Sequence, residues 1–513
     1  MPRSTKPSFV LELPLVVNSN HDFELQAGLN ASMCLYNNVV GETYKRMQLV
    51  RNSEAYQAAK KLPKDKKKER GEAFNKARQA YRLTEYEIQA YANRAANDSK
   101  WIAQKVDSNT QQKLATRGFK AVERVLFGRA KKVRFKVQTR FHSVEGKSNK
   151  QGLRWVNDRV VWGKLQLPAI IDYSNEVIRH GLSSPVKYCG PLRRELNGKR
   201  RWFVQLVLEG LPYQKEKNNV ADGLIGFEIN ISNIGYVADS HADLLPFAEG
   251  VPTYQKEITA LQRKMQRSQR VDNPDNYEPD FVGRKRRKTV VKKGKVKKGK
   301  KLHWKRTKNY QRAAHKKREL ERRKAAYAKS QNRRVVNEIL RHGKHIRTEK
   351  VSVKGWQKRY GKAISTKSPG FVQSELKRKA QKAGGSFTTF ETRKTALSQM
   401  HLTGNRIKKS LSEPVHQDET GVVMHRDLFS AFLSRHVNQD VLSLQDARDR
   451  YQRLESVLLE AWQRSINRKQ VGASENRKSD SPSERFSYKG KKVDQIASKG
   501  EKSTPNLPES PSL

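Results

Sequence analysis

The chain reads as a multidomain α/β protein, and three features of its patterning predict it. Period-two apolar stretches bracket a run of amphipathic helices up to about residue 215. A trio of short strand-like segments opens the second half. Long basic helices follow, with two more strand-like segments and two terminal helices, a mixture that packs as helices on sheets. In order, Ser8–Val17 (SFVLELPLVV) reads as a strand. From Phe23 the period changes: Leu29, Met33, Tyr36, Val40, Tyr44 and Met47 recur at three- and four-residue spacing, one face of a helix. Basic helical segments continue to Leu114, interrupted at Leu62–Pro63.

Strands return between Lys120 and Gly210. The clearest is a hairpin, Pro191–Glu195 and Arg201–Leu208 around Asn197-Gly198, because Asn-Gly supplies the positive φ angles of a two-residue turn. Arg134, Lys136, Arg140, Arg159 and Lys164 make this region basic as well. Leu224–Asn230, Ile234–Ala238 and Leu244–Phe247 form the strand trio. Tyr254–His342 reads as a long basic helical region, broken by a low-complexity insert at Arg284–Lys308. Like charges that dense cannot pack, so the insert is expected to be disordered until phosphate orders it. At its far edge Trp304 and Tyr310 suit either base stacking or core anchoring. His345–Glu349 and Ser386–Phe390 read as strands, Arg426–Val437 and Asp440–Ile466 as helices. Leu444, Ala447, Tyr451, Leu454, Leu458 and Trp462 form the buried stripe of the last helix. Asn467–Leu513, rich in Ser, Pro, Lys and Glu, is expected to be a disordered tail.

The 513 residues include 106 Lys and Arg against 51 Asp and Glu, a net charge of +55. An excess of that size repels itself in a compact chain unless a polyanion neutralises it, which points to nucleic acid. No apolar run reaches the ~18 residues of a membrane span, and no signal-peptide core opens the chain, so a soluble cytoplasmic protein is expected. Cys34 and Cys189 are the two cysteines, too few for a disulfide framework or a thiolate zinc site.

Three acidic residues stand at or near strand and helix ends: Glu228, Glu349 and Asp427. A carboxylate among Ile225, Phe227 and Ile229 is costly unless it is paired, bound to metal or turned outward. A strand trio, a later strand ending in an acid and a helix with an acid in its first turn together describe a ribonuclease-H-like core. In such a core carboxylates from distant positions converge on two divalent cations about 4 Å apart.

The segments GFEINISNIGYVADSHADLLPF, IRTEKVSVKGWQKRYGKA and GVVMHRDLFSAFLSRHV resemble the three RuvC segments of TnpB-type transposon proteins. Those are RNA-guided nucleases of insertion-sequence elements and ancestors of type V CRISPR effectors. AKKVRFKVQTRFHSVEGKSN and RRELNGKRRWFVQLVLEG are similar to that family's wedge domain, and the resemblance covers Pro7 to Ile466. It implies a bilobed protein. A wedge β-barrel would span 1–22 and 115–215, with a helical recognition module inserted at 23–114. A RuvC-like domain would span 216–258, 330–395 and 421–466, with a basic helical insertion at 259–329 and a tail at 467–513. It implies a structured guide RNA and target double-stranded DNA as partners, base pairing carrying sequence and protein contacts staying on backbone. Transposition or CRISPR-associated proteins are further implied partners, and location at the nucleoid when target is bound.

Two departures bear on cleavage. The family's first carboxylate is Asp, and the matching residue here is Glu228; one methylene displaces the carboxylate by roughly 1 Å, which can cost about 10²-fold in rate. Glu349 and Asp427 are retained, so the implied Mg²⁺-binding, catalytic triad is Glu228, Glu349 and Asp427 in degenerate form. The family's zinc ribbon falls at 396–420, where His401, Thr403, Gln417 and Thr420 stand near its cysteine positions. Thr and Gln are poor zinc ligands, even with His401 and His416 nearby, so no zinc is expected and the segment reads as a metal-free remnant. Arg134, Lys136, Arg140, Arg284, Lys285, Arg286, Arg287, Lys288, Trp304, Lys305, Arg306, Tyr310 and Arg312 are the candidate nucleic-acid contacts. The expectation is RNA-guided DNA binding with weakened or lost cleavage, acting by occupancy or recruitment. An active RNA-guided transposon nuclease and an architectural RNA-binding protein are the alternatives.

Overall fold

The computed structural model describes residues 6–248, 251–285, 288–299, 302–408, 410 and 413–479. The chain divides into two compact units, Met1–Asn219 with Pro252–Tyr327, and Val220–Val251 with Ala328–Leu513. Both mix helices with open sheets.

In the first unit, strand β1 (Ser8–Pro14) alternates exposed and buried residues and leads into helix α1 (Ser19–Asn52). The Asn18 side chain accepts the His21 N–H at 2.8 Å and caps that helix. Leu25, Leu29, Leu35, Val39 and Val40 of α1 join one core with Leu114, Phe119 and Val122 of helix α2 (Ser108–Leu126). Strands β2 (Arg154–Val156), β3 (Arg159–Trp162) and β4 (Leu165–Pro168) form one three-stranded antiparallel sheet. Strands β5 (Val186–Leu196) and β6 (Lys199–Glu209) form another with β1, in the order β1-β6-β5. Asn197 and Gly198 turn the hairpin at φ 52° and 74°, as the Asn-Gly pair predicts.

The closed wedge barrel expected from the resemblance is not found: among the described residues neither sheet closes on itself. An isolated bridge, Leu15 to Ala169, links the end of β1 to the end of β4. Pro14 and Pro168 stand just before those positions, and a proline has no N–H to extend a ladder.

The basic stretch after Pro252 also differs from the expectation. Helices Gln255–Val271 and Lys308–Leu340 flank an antiparallel hairpin of Phe281–Lys285 and Lys288–Lys292, where disorder was expected. Val282 pairs with Val291 and Gly283 with Val290, and Asp280 accepts from Lys293 Nζ (2.7 Å) and Gly294 N–H (2.9 Å). A β-branched pair and a local carboxylate thus offset part of the repulsion.

The second unit is built on a five-stranded sheet. Strands β7 (Leu224–Ile229), β8 (Asn233–Val237) and β9 (Ala242–Pro246) form an antiparallel meander. Strands β10 (His345–Glu349) and β11 (Phe387–Phe390) extend it in parallel beyond β7, giving the order β11-β10-β7-β8-β9. Ile225, Phe227 and Ile229 pack with Val336, Ile339, Val372 and Leu376 in one core. A second core joins Val237 and Leu244 to helices α3 (Arg426–Ser434) and α4 (Leu444–Ser479), with Ala447, Tyr451, Leu454 and Leu458 as the buried stripe of α4. Helix α4 runs to Ser479, into the segment expected to be a tail; 480–513 lie outside the described residues. No helix among the described residues is long and apolar enough to cross a membrane.

Candidate functional site

Register and two glycines bring the three acidic residues to one sheet face. In β7 the apolar Ile225, Phe227 and Ile229 point to one core, so Gly226 and Glu228 face the other way. Glu228 pairs with Gly235 of β8. The parallel register matches Thr348 of β10 to Phe227, and its next step sets Glu349 beside Glu228, one strand spacing of about 4.8 Å away. Helix α3 lies against this face because two side chains are missing from it. A Cβ on Gly226 would come 1.8 Å from the Ala431 carbonyl oxygen, and one on Gly235 2.8 Å from the Asp427 carbonyl oxygen. Asp427, in the first turn of α3, therefore sits over the strand pair that carries Glu228.

The site is acidic and largely closed to water. Glu349 and Asp427 are buried, and Glu228 Oε2 is buried with no hydrogen-bond partner. Burial, then the charges of Glu349 and Asp427, push the Glu228 carboxyl well above its usual range, and Arg426 opposes them weakly. Burial raises Glu349 too, against hydrogen bonds from the Leu397 N–H and the Thr392 hydroxyl. Asp427 accepts from Asn230 Nδ2, and Arg426 Nε lies 3.8 Å away. Hard carboxylate oxygens of this kind suit Mg²⁺, and a buried orphan oxygen is the group such a cation would satisfy. The trio is nonetheless loose: no choice of one oxygen from each carboxyl brings the three within 4.8 Å of one another.

A carboxyl raised in the folded chain holds its proton more readily there than in the unfolded chain. Stability is then lost as pH rises from the ordinary glutamate value of 4.5 through the raised one. Glu228→Gln is expected to raise the melting temperature by roughly 2–4 °C near pH 8, about 1 kcal/mol, and to leave it unchanged below about pH 4. Differential scanning fluorimetry across pH checks this, and a gap that grows toward acid would contradict it.

The set that does meet the 4.8 Å limit is His401, His416 and Asp418, all buried, in the segment read as a zinc-ribbon remnant. Asp418 accepts from Leu402 N (3.0 Å), Thr420 N (3.1 Å), Thr420 Oγ1 (2.8 Å) and, through Oδ2, meets His416 Nε2 at 3.0 Å. Its neighbour Glu419 accepts from Asn405 Nδ2 (2.8 Å) and Thr403 Oγ1, and donates its own N–H to His401 Nδ1 (3.0 Å). The sequence reading singled out both histidines and missed Asp418. The Asp418-Glu419-Thr420-Gly421 turn was its available signal, since Asp there accepts from the backbone two residues on.

The candidate nucleic-acid contacts fall in the first unit. Arg134, Arg140, Arg284, Lys305, Arg306 and Arg312 are exposed, and Lys136 is half-buried with its backbone held by Asn37. Lys285 and Lys288 end the two hairpin strands, and Arg286 and Arg287 lie outside the described residues. Trp304 is half-buried, edge-on to Tyr277 at 5.9 Å, and Arg306 lies over the Tyr310 ring at 5.8 Å.

No family model and no curated protein matches the chain. Among solved structures it is similar to a chain of a Cas12f1-sgRNA-target DNA complex, with 9% identity and a TM-score of 0.42 over 85% of this chain and 100% of that one. It is also similar to a chain of a CRISPR-Cas12f ternary complex, with 11% identity and a TM-score of 0.27 over 82% and 98%.

Proposed function

We propose that this chain is an RNA-guided DNA-binding protein of the TnpB and type V effector lineage whose RuvC-type cleavage is weakened or lost. The observation that carries this reading is the shared face of Glu228, Glu349 and Asp427, an acidic cluster whose first member is a residue longer than the family's Asp. A meander of three antiparallel strands extended by two parallel ones is the arrangement a ribonuclease-H-like domain needs, which supports the RuvC reading. On this reading 1–22 and 115–215 form the wedge, 23–114 the recognition module, 216–258, 330–395 and 421–466 the RuvC-like domain, 259–329 its basic insertion and 396–420 the ribbon remnant.

Glu228, Glu349 and Asp427 would hold Mg²⁺. When bound, such a cation supplies charge for a scissile phosphate and lowers the pKa of its water. The protein's own share is to orient and to exclude water. Asn230 fixes Asp427, Thr392 and the Leu397 N–H fix Glu349, and no hydrogen bond fixes Glu228 Oε2. The position that departs from the family also carries the buried oxygen without a hydrogen-bond partner, which favours binding over cutting.

Guide RNA would supply sequence recognition, and a net charge of +55 suits a protein that holds two polyanions at once. Sequencing the RNA that co-purifies with the protein from its own cells tests the reading. One discrete species with a constant scaffold and a variable end is the expected result. A heterogeneous pool would move the protein to the architectural class.

A further inference from the structure

Strand β1 has two unlike faces. Phe9, Leu11, Leu13 and Leu15 are buried in the core that α1 and α2 also line. Alternation turns Val10, Glu12, Pro14 and Val16 the other way, where an antiparallel sheet facing water is ordinarily polar. Here it is apolar: Val10 is 57% exposed, Val16 is 52% exposed, and Pro14 is exposed as well. Beside them Ile170, whose N–H donates to the Pro14 carbonyl at 2.8 Å, is 56% exposed. The half-buried Val207 and Phe203 of β6 stand opposite Val10 and Pro14 and extend the surface. Single exposed apolar side chains are common, but these adjoin across neighbouring strands.

Charge is arranged around this face. Glu12, the acid that β1 turns outward, is neutralised by both terminal nitrogens of Arg194 and accepts from Gln205 Nε2 at 3.0 Å. The flanks are basic. On one side Arg159 of β3 stands opposite Pro168 of β4, whose carbonyl accepts the Val16 N–H at 2.9 Å. On the other side Leu15 N–H donates to the Trp202 carbonyl, and the next step of that register sets Arg201 of β6 beside Val16. Both arginines are exposed, three strand spacings or about 14 Å apart. That span is little wider than one α-helix with its side chains, about 10–12 Å. From Val10 to Val16 the strand runs about 20 Å, the length of roughly 13 helical residues.

We propose that the outer face of β1 docks an amphipathic helix of another protein. The helix lays an apolar stripe on Val10, Pro14, Val16 and Ile170 and sets an acidic residue on each flank against Arg159 and Arg201. A sheet buries its apolar faces against other elements, and helix-on-face docking anchors through positions spaced three and four apart. Aliphatic side chains and a proline give a phosphate no charge and a base no ring, so nucleic acid gains nothing from the centre of this face. A second copy would set arginine flanks against arginine flanks. The site uses none of the candidate nucleic-acid contacts and does not depend on the reading above.

Fluorescence anisotropy on the full-length protein tests this with a labelled synthetic peptide of about 20 residues, long enough to form a helix, whose leucine stripe is flanked by glutamates. It is expected to bind at least about 10-fold tighter than a twin with serines for leucines or a twin with lysines for glutamates. Val16→Ser and Ile170→Ser are each expected to weaken it about 10-fold, with melting unchanged because both side chains are exposed. Arg159→Glu combined with Arg201→Glu is expected to turn the preference toward the lysine twin, which general attraction to a net charge of +55 would not do. Equal affinity for the leucine and serine peptides, or unchanged affinity in Val16→Ser and Ile170→Ser, overturns the site. Displacement of the peptide by a DNA duplex or an RNA hairpin also overturns it and assigns the face to nucleic acid. A dimer in analytical ultracentrifugation that Val16→Ser abolishes assigns the face to a second copy instead. Tighter peptide binding after deletion of 480–513 assigns it to the chain's own C-terminal residues.

Discussion

Glu228→Asp is expected to raise Mg²⁺-dependent cleavage of guide-matched DNA by about 10²-fold over the wild-type protein while leaving target binding unchanged. The argument is geometric. Glu228 lies on a rigid strand, paired with Gly235 on one side and stepping in register with Glu349 on the other, so its backbone cannot retreat to absorb an extra methylene. Helix α3 is equally fixed, seated against Gly226 and Gly235 with no room for a side chain at either. The extra length must then be taken up by the carboxylate itself, and displacement of a reacting group by about 1 Å costs roughly 10²-fold. Single-turnover cleavage of labelled target, with the guide RNA and Mg²⁺ supplied, reads the effect. Adding Glu349→Ala to Glu228→Asp is expected to abolish the cutting, because Glu349 stands beside that position on β10. Specific nicks by the wild-type protein that vanish with Glu349→Ala alone would sink the binding-only reading and establish an active nuclease. No gain from Glu228→Asp would place the block elsewhere, with the segment 396–420 next in line.

Local signals carried much of this fold into the sequence. Asn197-Gly198 specified its turn because few residues other than Gly and Asn accept positive φ. The apolar alternation of Ile225, Phe227 and Ile229 specified a strand, and Tyr451, Leu454 and Leu458 a buried helix face. What stayed hidden was long-range. Gly226 and Gly235 look like ordinary strand weakeners in sequence, and only the approach of Ala431 and Asp427, some two hundred positions later, shows why they lack side chains. Charge density misled at Arg284–Lys308, where paired valines and Asp280 carry a hairpin through repulsive sequence. The expected barrel came from the resemblance, with no residue pattern behind its closure, and beside Pro14 and Pro168 the two sheets are linked by the single bridge Leu15 to Ala169. Asp418 escaped notice because thiolate spacing was the pattern sought there, and a hydrogen-bond acceptor has no comparable spacing rule.

Asp418→Ala is expected to lower the melting temperature of the second unit by roughly 5–15 °C, from a loss of about 2–4 kcal/mol. The carboxylate joins two turns: Leu402 comes from one, while His416 and Thr420 come from the other. Truncation leaves the Leu402 N–H, the Thr420 N–H and the His416 ring facing a buried space, and each unsatisfied group costs about 1–3 kcal/mol before relaxation. Burial pushes this carboxyl up, but hydrogen bonds from His416, Thr420 and Leu402 outweigh it and hold the group below its ordinary value of 3.8. A depressed carboxylate stabilises the fold above its unfolded value and loses that contribution as pH falls through the folded one. The carboxylate's share of the gap between wild type and Asp418→Ala therefore closes as pH falls below about 4. Melting in EDTA separates hydrogen bonding from a cation at this place, since His401, His416 and Asp418 have the residue types of a metal site. With four acceptor contacts already satisfied at Asp418 and His401 Nδ1 taken by the Glu419 N–H, the wild-type melting temperature is expected to be the same with and without chelator. An EDTA-induced drop matching that of Asp418→Ala would show that a cation ties the turns together. Constancy would show that hydrogen bonds alone tie these two turns together in this chain.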